Sequence, residues 1–248
     1  MASVTVITSG KGGVGKSTVA AGLSAALCSR GKRVLLIDGD AGLGSLDIML
    51  GVTERRVFDI ADIVSGAADP DKAVYPCSFR PGLFLLPAPA AEEDVVSPDV
   101  MRQLVTALSR YYDHVIIDSP AGLGQGFLSA AAAARRALIV ATPDPVSLHG
   151  AAQARLRLKE IGLTQQRLIV NRFSGSDFRK QGFYRDMDAV IDTAGVRLIA
   201  VIPEDRSLAA AACSRLPPRN SAGAMALDRL AARMEGEQVP LYPLKKFT

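Results

Sequence analysis

Short apolar runs recur along the chain at 4–8, 33–38, 83–87, 114–118, 137–142, 167–171 and 196–202. They are nearly continuous rather than alternating, which is the pattern of strands covered on both faces. Helical patterns lie between them. One spans 18–27, one 59–64, one follows Ser147 and one spans 222–235. Another opens at Ser97-Pro98-Asp99, with an N-cap residue, proline at the first helical position and an acid in the first turn. Its Met101, Leu104, Val105 and Leu108 mark a buried face. In the last helix the expected core stripe is Ala222, Met225, Leu230 and Met234. Strands alternating with helices predict an α/β fold: a mainly parallel, twisted sheet flanked by helices in three layers. Ligands of such sheets bind at the carboxyl ends of the strands.

Polar motifs fall at those ends. The first strand runs into Ser9-Gly10-Lys11-Gly12-Gly13-Val14-Gly15-Lys16-Ser17, and a helical pattern follows. Gly10 to Ser17 fits G-x-x-x-x-G-K-[ST] in the strand–loop–helix setting of a P-loop. The glycines let backbone N–H groups curl around a phosphate, and the helix N-terminus adds positive dipole. Lys16 would reach the outer phosphates and the Ser17 hydroxyl would ligate magnesium. The second strand ends in Asp38-Gly39-Asp40. Two carboxylates at that spacing fit an acidic turn, and beside a polyphosphate they could order an attacking water or hold the water shell of the metal. The run 113–118 ends in Asp118, as a Walker B strand does, which places Asp118 opposite Ser17 as a magnesium partner through water. Gly122, Gly124 and Gly126 leave the next loop free to rearrange. His114 reads as a structural residue.

The loop carries an additional lysine, Lys11, at its start. The stretch Lys11-Gly12-Gly13-Val14-Gly15-Lys16-Ser17 resembles the deviant Walker A box of the MinD/ParA family of ATPases. Asp38 to Gly51, Glu54-Arg55-Arg56-Val57-Phe58-Asp59 and Asp118-Ser119-Pro120-Ala121-Gly122 resemble the MinD branch in particular. The resemblance covers most of the chain, with residues 1–236 as one P-loop ATPase domain and 237–248 as a tail. It implies ATP and Mg²⁺ as ligands and a phosphate site over Gly10, Lys11, Gly12, Gly13, Val14, Gly15, Lys16, Ser17 and Thr18. It implies that Lys11 reaches the nucleotide of a second subunit in a homodimer, and that Asp40 positions the hydrolytic water while Asp38 supports the metal. It implies base contacts from Asn171 and Arg172 and from the Pro203-Glu204-Asp205 segment. Lys11, Lys16 and Asp40 are then the catalytic set. The family also implies a protein activator or effector and a role in placing the division septum. A DNA or cargo partition ATPase and a flagellar-number regulator are the alternatives.

Composition narrows the partners. No tryptophan and 5% aromatic residues argue against a base-stacking nucleic-acid platform. The formal charge is +4, but residues 149–185 hold eight Lys/Arg against Glu160 and Asp177. That stretch is either a solvated surface or an attractor for DNA or an anionic membrane. Arg155 and Lys159 share a helix face within it. The tail offers Lys245, Lys246 and Phe247 to an anionic lipid surface, but Pro240 and Pro243 interrupt any helix there. No apolar run is long enough to cross a bilayer and no leader pattern opens the chain, so the expected location is cytoplasmic or peripheral at the inner membrane face.

Overall fold

Strand β1 (Ser3–Thr8) lies inside an eight-stranded sheet whose order is β3-β4-β2-β5-β1-β6-β7-β8. The computed structural model describes residues 2–41, 44–90, 96–211 and 220–243. The other strands are β2 (Val34–Asp38), β3 (Tyr75–Pro76), β4 (Leu83–Leu86), β5 (His114–Asp118), β6 (Arg136–Ala141), β7 (Gln166–Phe173) and β8 (Leu198–Pro203). All pairings are parallel except that of β3 with β4. β3 has only two residues, too few to leave a pattern in the sequence. The chain leaves β1 for β2 on one side, and β6 to β8 later extend the sheet on the other. The carboxyl end of β1 is therefore a switch point, where such sheets open a crevice.

Helices α1 (Lys16–Ser29), α2 (Ser45–Met49), α9 (Arg206–Ala211) and α10 (Ala222–Met234) lie on one face. Helices α3 (Ile60–Ser65), α4 (Pro98–Leu108), α5 (Gln125–Ala132), α6 (Pro145–Glu160) and α8 (Met187–Ala194) lie on the other, with α7 (Gly175–Gln181) following β7. The strands feed both layers by alternation. Leu35 and Ile37 join the α4–α6 layer, and Val34 and Leu36 join the α1–α10 layer. Each buried leucine or isoleucine contributes about 1.5–3 kcal/mol. Helix α4 buries the four residues its spacing predicts, and the Ser97 hydroxyl accepts from Val100 N–H.

The last helix departs from expectation. Leu230 and Met234 are buried as expected, but Met225 is 42% exposed, and Ala226, Leu227 and Ala231 join the buried face in its place. The reason lies on α1. A Cβ on Gly22 would stand 2.5 Å from Leu227 Cδ1, so Leu227 is seated where only glycine leaves room. That contact sets the rotation of α10 and turns Met225 outward. The chain from α10 to Tyr242 stays on the body: Arg30 pairs with Glu237, Arg229 donates to the Pro240 carbonyl at 3.0 Å, and Tyr242 is buried in the core on the α1–α10 face. Lys245, Lys246 and Phe247 lie outside the described residues. Among the described residues no helix is long and apolar enough to cross a membrane.

Candidate nucleotide site

The loop between β1 and α1 is held by close backbone approaches. Gly10 abuts α6 so tightly that a Cβ would stand 2.0 Å from the Gly150 carbonyl oxygen. Gly13 and Gly15 have φ of 76° and 90°, the left-handed region that favours glycine. A Cβ on Gly15 would also stand 2.5 Å from Asn171 Nδ2. Asn171 is buried beneath the loop and donates from Nδ2 to the Val14 carbonyl at 2.8 Å. Gly15 is the N-cap of α1, with no side chain capping the helix. By contrast, Asp144 caps α6 and Ser97 caps α4. The first N–H groups of α1 are thus left for an anion, as a phosphate loop requires.

Beside the loop, β2 and β5 bring Asp38 and Asp118 into register as neighbours. Gly39 N–H donates to the Asp118 carbonyl at 2.9 Å. Both carboxylates are fully buried. Burial, then the charge of Asp118, pushes Asp38 up to about 8. Burial likewise pushes Asp118 up to about 7, against the nearby Ser17 hydroxyl and the Lys16 ammonium, with Asp40 adding to the rise. Asp38 Oδ2 and both Asp118 oxygens are buried with no hydrogen-bond partner. Two adjacent buried acids in that state call for a cation, and an oxygen-seeking one suits a carboxylate–hydroxyl set. These residues fit a magnesium ion, which Ser17, Asp38 and Asp118 would hold. Among the described residues no cluster of three or more His, Cys, Asp or Glu could cage a metal alone. A phosphate-bound ion needs no such cage.

Other expected residues meet around this core. Lys16 is buried, and Asp40 is half-buried within electrostatic reach of Asp38 and Asp118. Gly12 faces Ala121, so the P-loop adjoins the glycine-bearing loop after β5. The Ser119 hydroxyl donates to Thr8 Oγ1 at 2.9 Å. Arg172 is exposed and has φ of 52°, among the described residues the one non-glycine in that region. Such strain gathers at functional positions. Pro203 ends β8, and Glu204 N–H donates to the Phe173 carbonyl at 3.0 Å, so the two segments expected beside the base are joined. Asp205 instead ties two helices together. Its carboxylate accepts from Ser207 N–H and Gly223 N–H, both at 2.8 Å, at the starts of α9 and α10. A base contact is therefore not its evident use.

Lys11 sits on the outer rim with its side chain 44% exposed, 3.7 Å from Asp144 Oδ1. The sequence shows Pro143-Asp144 only as a polar turn. The structure makes Asp144 the cap of α6, accepting from Ser147 N–H at 3.0 Å and from the Thr142 hydroxyl at 2.5 Å. Burial opposes its ionisation, but those bonds and Lys11 hold its carboxyl below the ordinary value. His114 is structural, as expected: its Nε2 stands 2.7 Å from Glu235 Oε1, at the opposite end of the sheet.

The fold and the site define a P-loop nucleotide-binding ATPase whose loop has a second lysine. Residues 5–218 match the CobQ/CobB/MinD/ParA nucleotide binding domain, and the chain belongs to that family. It is 38% identical to the septum site-determining protein MinD of Thermotoga maritima, over 97% of this chain and 91% of that one. It is 35% identical to MinD of Bacillus subtilis, over 99% and 94%. Among solved structures, the MinD cell division protein of Aquifex aeolicus superposes with a TM-score of 0.88 at 33% identity, covering 98% of this chain and 100% of that one. MinD of Pyrococcus horikoshii in complex with Mg-ADP gives 0.85 at 32%, covering 95% and 96%. A plasmid partition protein of Borrelia burgdorferi, at 19% identity and 0.73, shares the fold.

Proposed function

We propose that this chain is a MinD-type ATPase that works as a nucleotide-dependent dimerisation switch in placing the division septum. The observation that carries the reading is the pair Asp38 and Asp118, buried and adjacent, with Asp38 Oδ2 and both Asp118 oxygens lacking a hydrogen-bond partner, beside an uncapped P-loop helix. The relatives named septum site-determining proteins match along nearly their whole length, and one solved relative is described as a MinC:MinD complex. These support ATP as substrate and a protein effector as partner.

Backbone N–H groups of Gly10 to Thr18 bind the phosphates. Lys16 balances charge on the outer phosphates. Magnesium supplies further charge neutralisation when bound, with Ser17, Asp38 and Asp118 as its protein side. Asp40 orients the water that attacks the γ-phosphorus while the bond to the β-phosphate oxygen breaks. Asn171 has Nδ2 committed to Val14, so its amide oxygen is the atom for an adenine amino group, flanked by Arg172, Pro203 and Glu204. Lys11, exposed on the rim, reaches the phosphates of a second copy and stabilises charge in the transition state.

Lys11→Ala and Lys16→Ala test this together. Both should lose hydrolysis. Lys16→Ala should also lose nucleotide affinity, whereas Lys11→Ala should keep it and lose ATP-dependent dimerisation. Wild-type dimerisation and turnover in Lys11→Ala would defeat the two-chain site. A partition role has one observation in its favour: Arg155, Lys159, Arg167 and Arg197 line one recess at the amino ends of β7 and β8. Co-sedimentation with anionic liposomes beside a salt-dependent DNA gel shift, each with and without ATP, separates the two. Liposome binding that needs ATP supports septum placement at a membrane, and DNA binding alone supports partition.

A further inference from the structure

The amino ends of the strands carry a recess of their own. Arg33 stands just ahead of β2, Phe84 is the second residue of β4, and Tyr112 lies two positions before β5. Because β2 runs between β4 and β5, Arg33 is flanked by both rings. Its Cζ lies 4.8 Å from the Phe84 centroid and 5.3 Å from the Tyr112 centroid. The two rings meet edge to face at 5.4 Å. The Arg33 backbone N–H donates to Asp113 Oδ2 at 2.7 Å, which fixes the root of the side chain. Beside them, the 3-10 turn Ser109–Tyr111 after α4 sets Arg110 over Tyr111, with Cζ 5.2 Å from the ring centroid. Arg110 Nε donates to the Ala107 carbonyl at 3.0 Å.

These residues and Asp71 line a recess of about 610 Å³, and the rest of its wall is mostly apolar. Size and make-up are those of a small-molecule pocket, about 300–1,000 Å³ with a few polar groups in an apolar lining. The polar groups are cationic. A guanidinium stacked on a ring by its face keeps its N–H edge for a carboxylate or phosphate. Arg33 shares that edge with the Tyr112 oxygen, whose proton burial holds on while Arg33 works against it. Neither Arg33 nor Arg110 forms an ion pair among the described residues. Two guanidiniums against the single carboxylate of Asp71 leave the recess positive. Packing explains why Arg33 covers Phe84 and Tyr112. It does not explain Tyr111, which is 56% exposed beside a second unpaired arginine. Arg33 and Asp38 stand at opposite ends of β2, five residues apart, so roughly 16 Å separates this recess from the nucleotide loop.

We infer that this recess is a second ligand site, for a small organic anion with a flat apolar body. Arg33 and Arg110 take the carboxylate, sulfonate or phosphate of the ligand, and its body lies against Tyr111 and Tyr112.

The test uses the full chain saturated with Mg-ADP, so that the P-loop is already filled. Anilinonaphthalene sulfonate supplies a flat apolar body with one negative charge, and N-phenylnaphthylamine supplies the same body without it. Fluorescence titration should show one saturable site per chain for the sulfonate. The neutral probe should bind at least about tenfold more weakly, the worth of a hydrogen bond to a charged group. Arg33→Gln and Arg110→Gln should each weaken the sulfonate about tenfold, and Tyr111→Ala should weaken both probes about threefold or more. Arg185→Gln, which removes a surface cation between α7 and α8, should change neither. No saturable site, equal affinity for the two probes, or unchanged affinity in both Arg33→Gln and Arg110→Gln overturns the inference. Should Arg33→Gln fail to fold, Arg110→Gln and Tyr111→Ala, both at exposed positions, decide the outcome.

Discussion

Lys11 Nζ lies 3.7 Å from Asp144 Oδ1 of its own chain. The lysine that marks this family's loop is therefore held in cis before any second subunit arrives. In the two-chain site proposed above, Lys11 would have to leave Asp144 to reach a partner's phosphates, so the pair would act as a mild brake on dimerisation. An exposed ion pair is worth about 0.2–1 kcal/mol. Asp144→Asn keeps an oxygen to cap α6 and should tighten ATP-dependent association by no more than about fivefold. Sedimentation with ATP and with ADP reads this. Weaker association in Asp144→Asn would mean that the pair is no brake.

The buried acids give the nucleotide-free chain an unusual pH response. Folding raises Asp38 to about 8 and Asp118 to about 7, chiefly by burial. Such groups hold more protons folded than unfolded, so stability falls as pH rises from the ordinary carboxylate range toward 8. The slope is up to about 1.4 kcal/mol per pH unit for each group that is protonated only when folded. The Tm should therefore drop between pH 6 and pH 8.5 without nucleotide and drop less with Mg-ADP. Asp38→Asn should flatten the apo profile. An equally steep profile in Asp38→Asn would remove the pair as its cause.

What could be read in the sequence has a simple basis. Buried parallel strands are continuous apolar runs, and the P-loop, Asp38-Gly39-Asp40 and Asp118 follow three of them directly. Their convergence follows from chain order. The partners that hold the site in shape were not legible. Asn171 braces Val14 across 157 positions. Gly150 leaves no room beside Gly10, though a glycine in mid-helix reads only as weak propensity. The α10 stripe held at Leu230 and Met234 but not at Met225, because the rotation of α10 is set by a glycine on α1, information that α10 does not contain.

Gly15→Ala tests whether the loop's shape depends on that one backbone. The substitution meets two obstacles, a φ of 90° and an Asn171 nitrogen 2.5 Å from the new Cβ. Left-handed backbone costs an alanine about 1–2 kcal/mol, and the displaced amide would give up its bond to Val14. The expected outcome is a folded chain with a lower Tm and at least about tenfold weaker nucleotide binding by calorimetry. Asn171→Ala should weaken binding too and raise no strain at Gly15. The double variant Gly15→Ala/Asn171→Ala should therefore lose less stability than the two single losses combined. Additive losses would show that the two positions act independently.

The opposite end of the sheet provides the contrast. Glu235, just past α10, accepts from buried His114 at the start of β5 and pairs with Lys32 ahead of β2. The Glu235 carboxyl is held below its ordinary value, with its burial outweighed by Lys32 and His114. Removing it leaves the His114 ring buried without that partner, which costs about 1–3 kcal/mol. Glu235→Ala should lower the denaturant midpoint by a matching amount with an unchanged m-value. Its ATP turnover, measured well below the transition, should stay at the wild-type level, because Glu235 sits at the amino ends of β2 and β5, opposite the loop at the strands' carboxyl ends. Slower turnover there would mean that the amino ends of the strands communicate with the loop, and α10 would have to be counted among the parts that move with nucleotide.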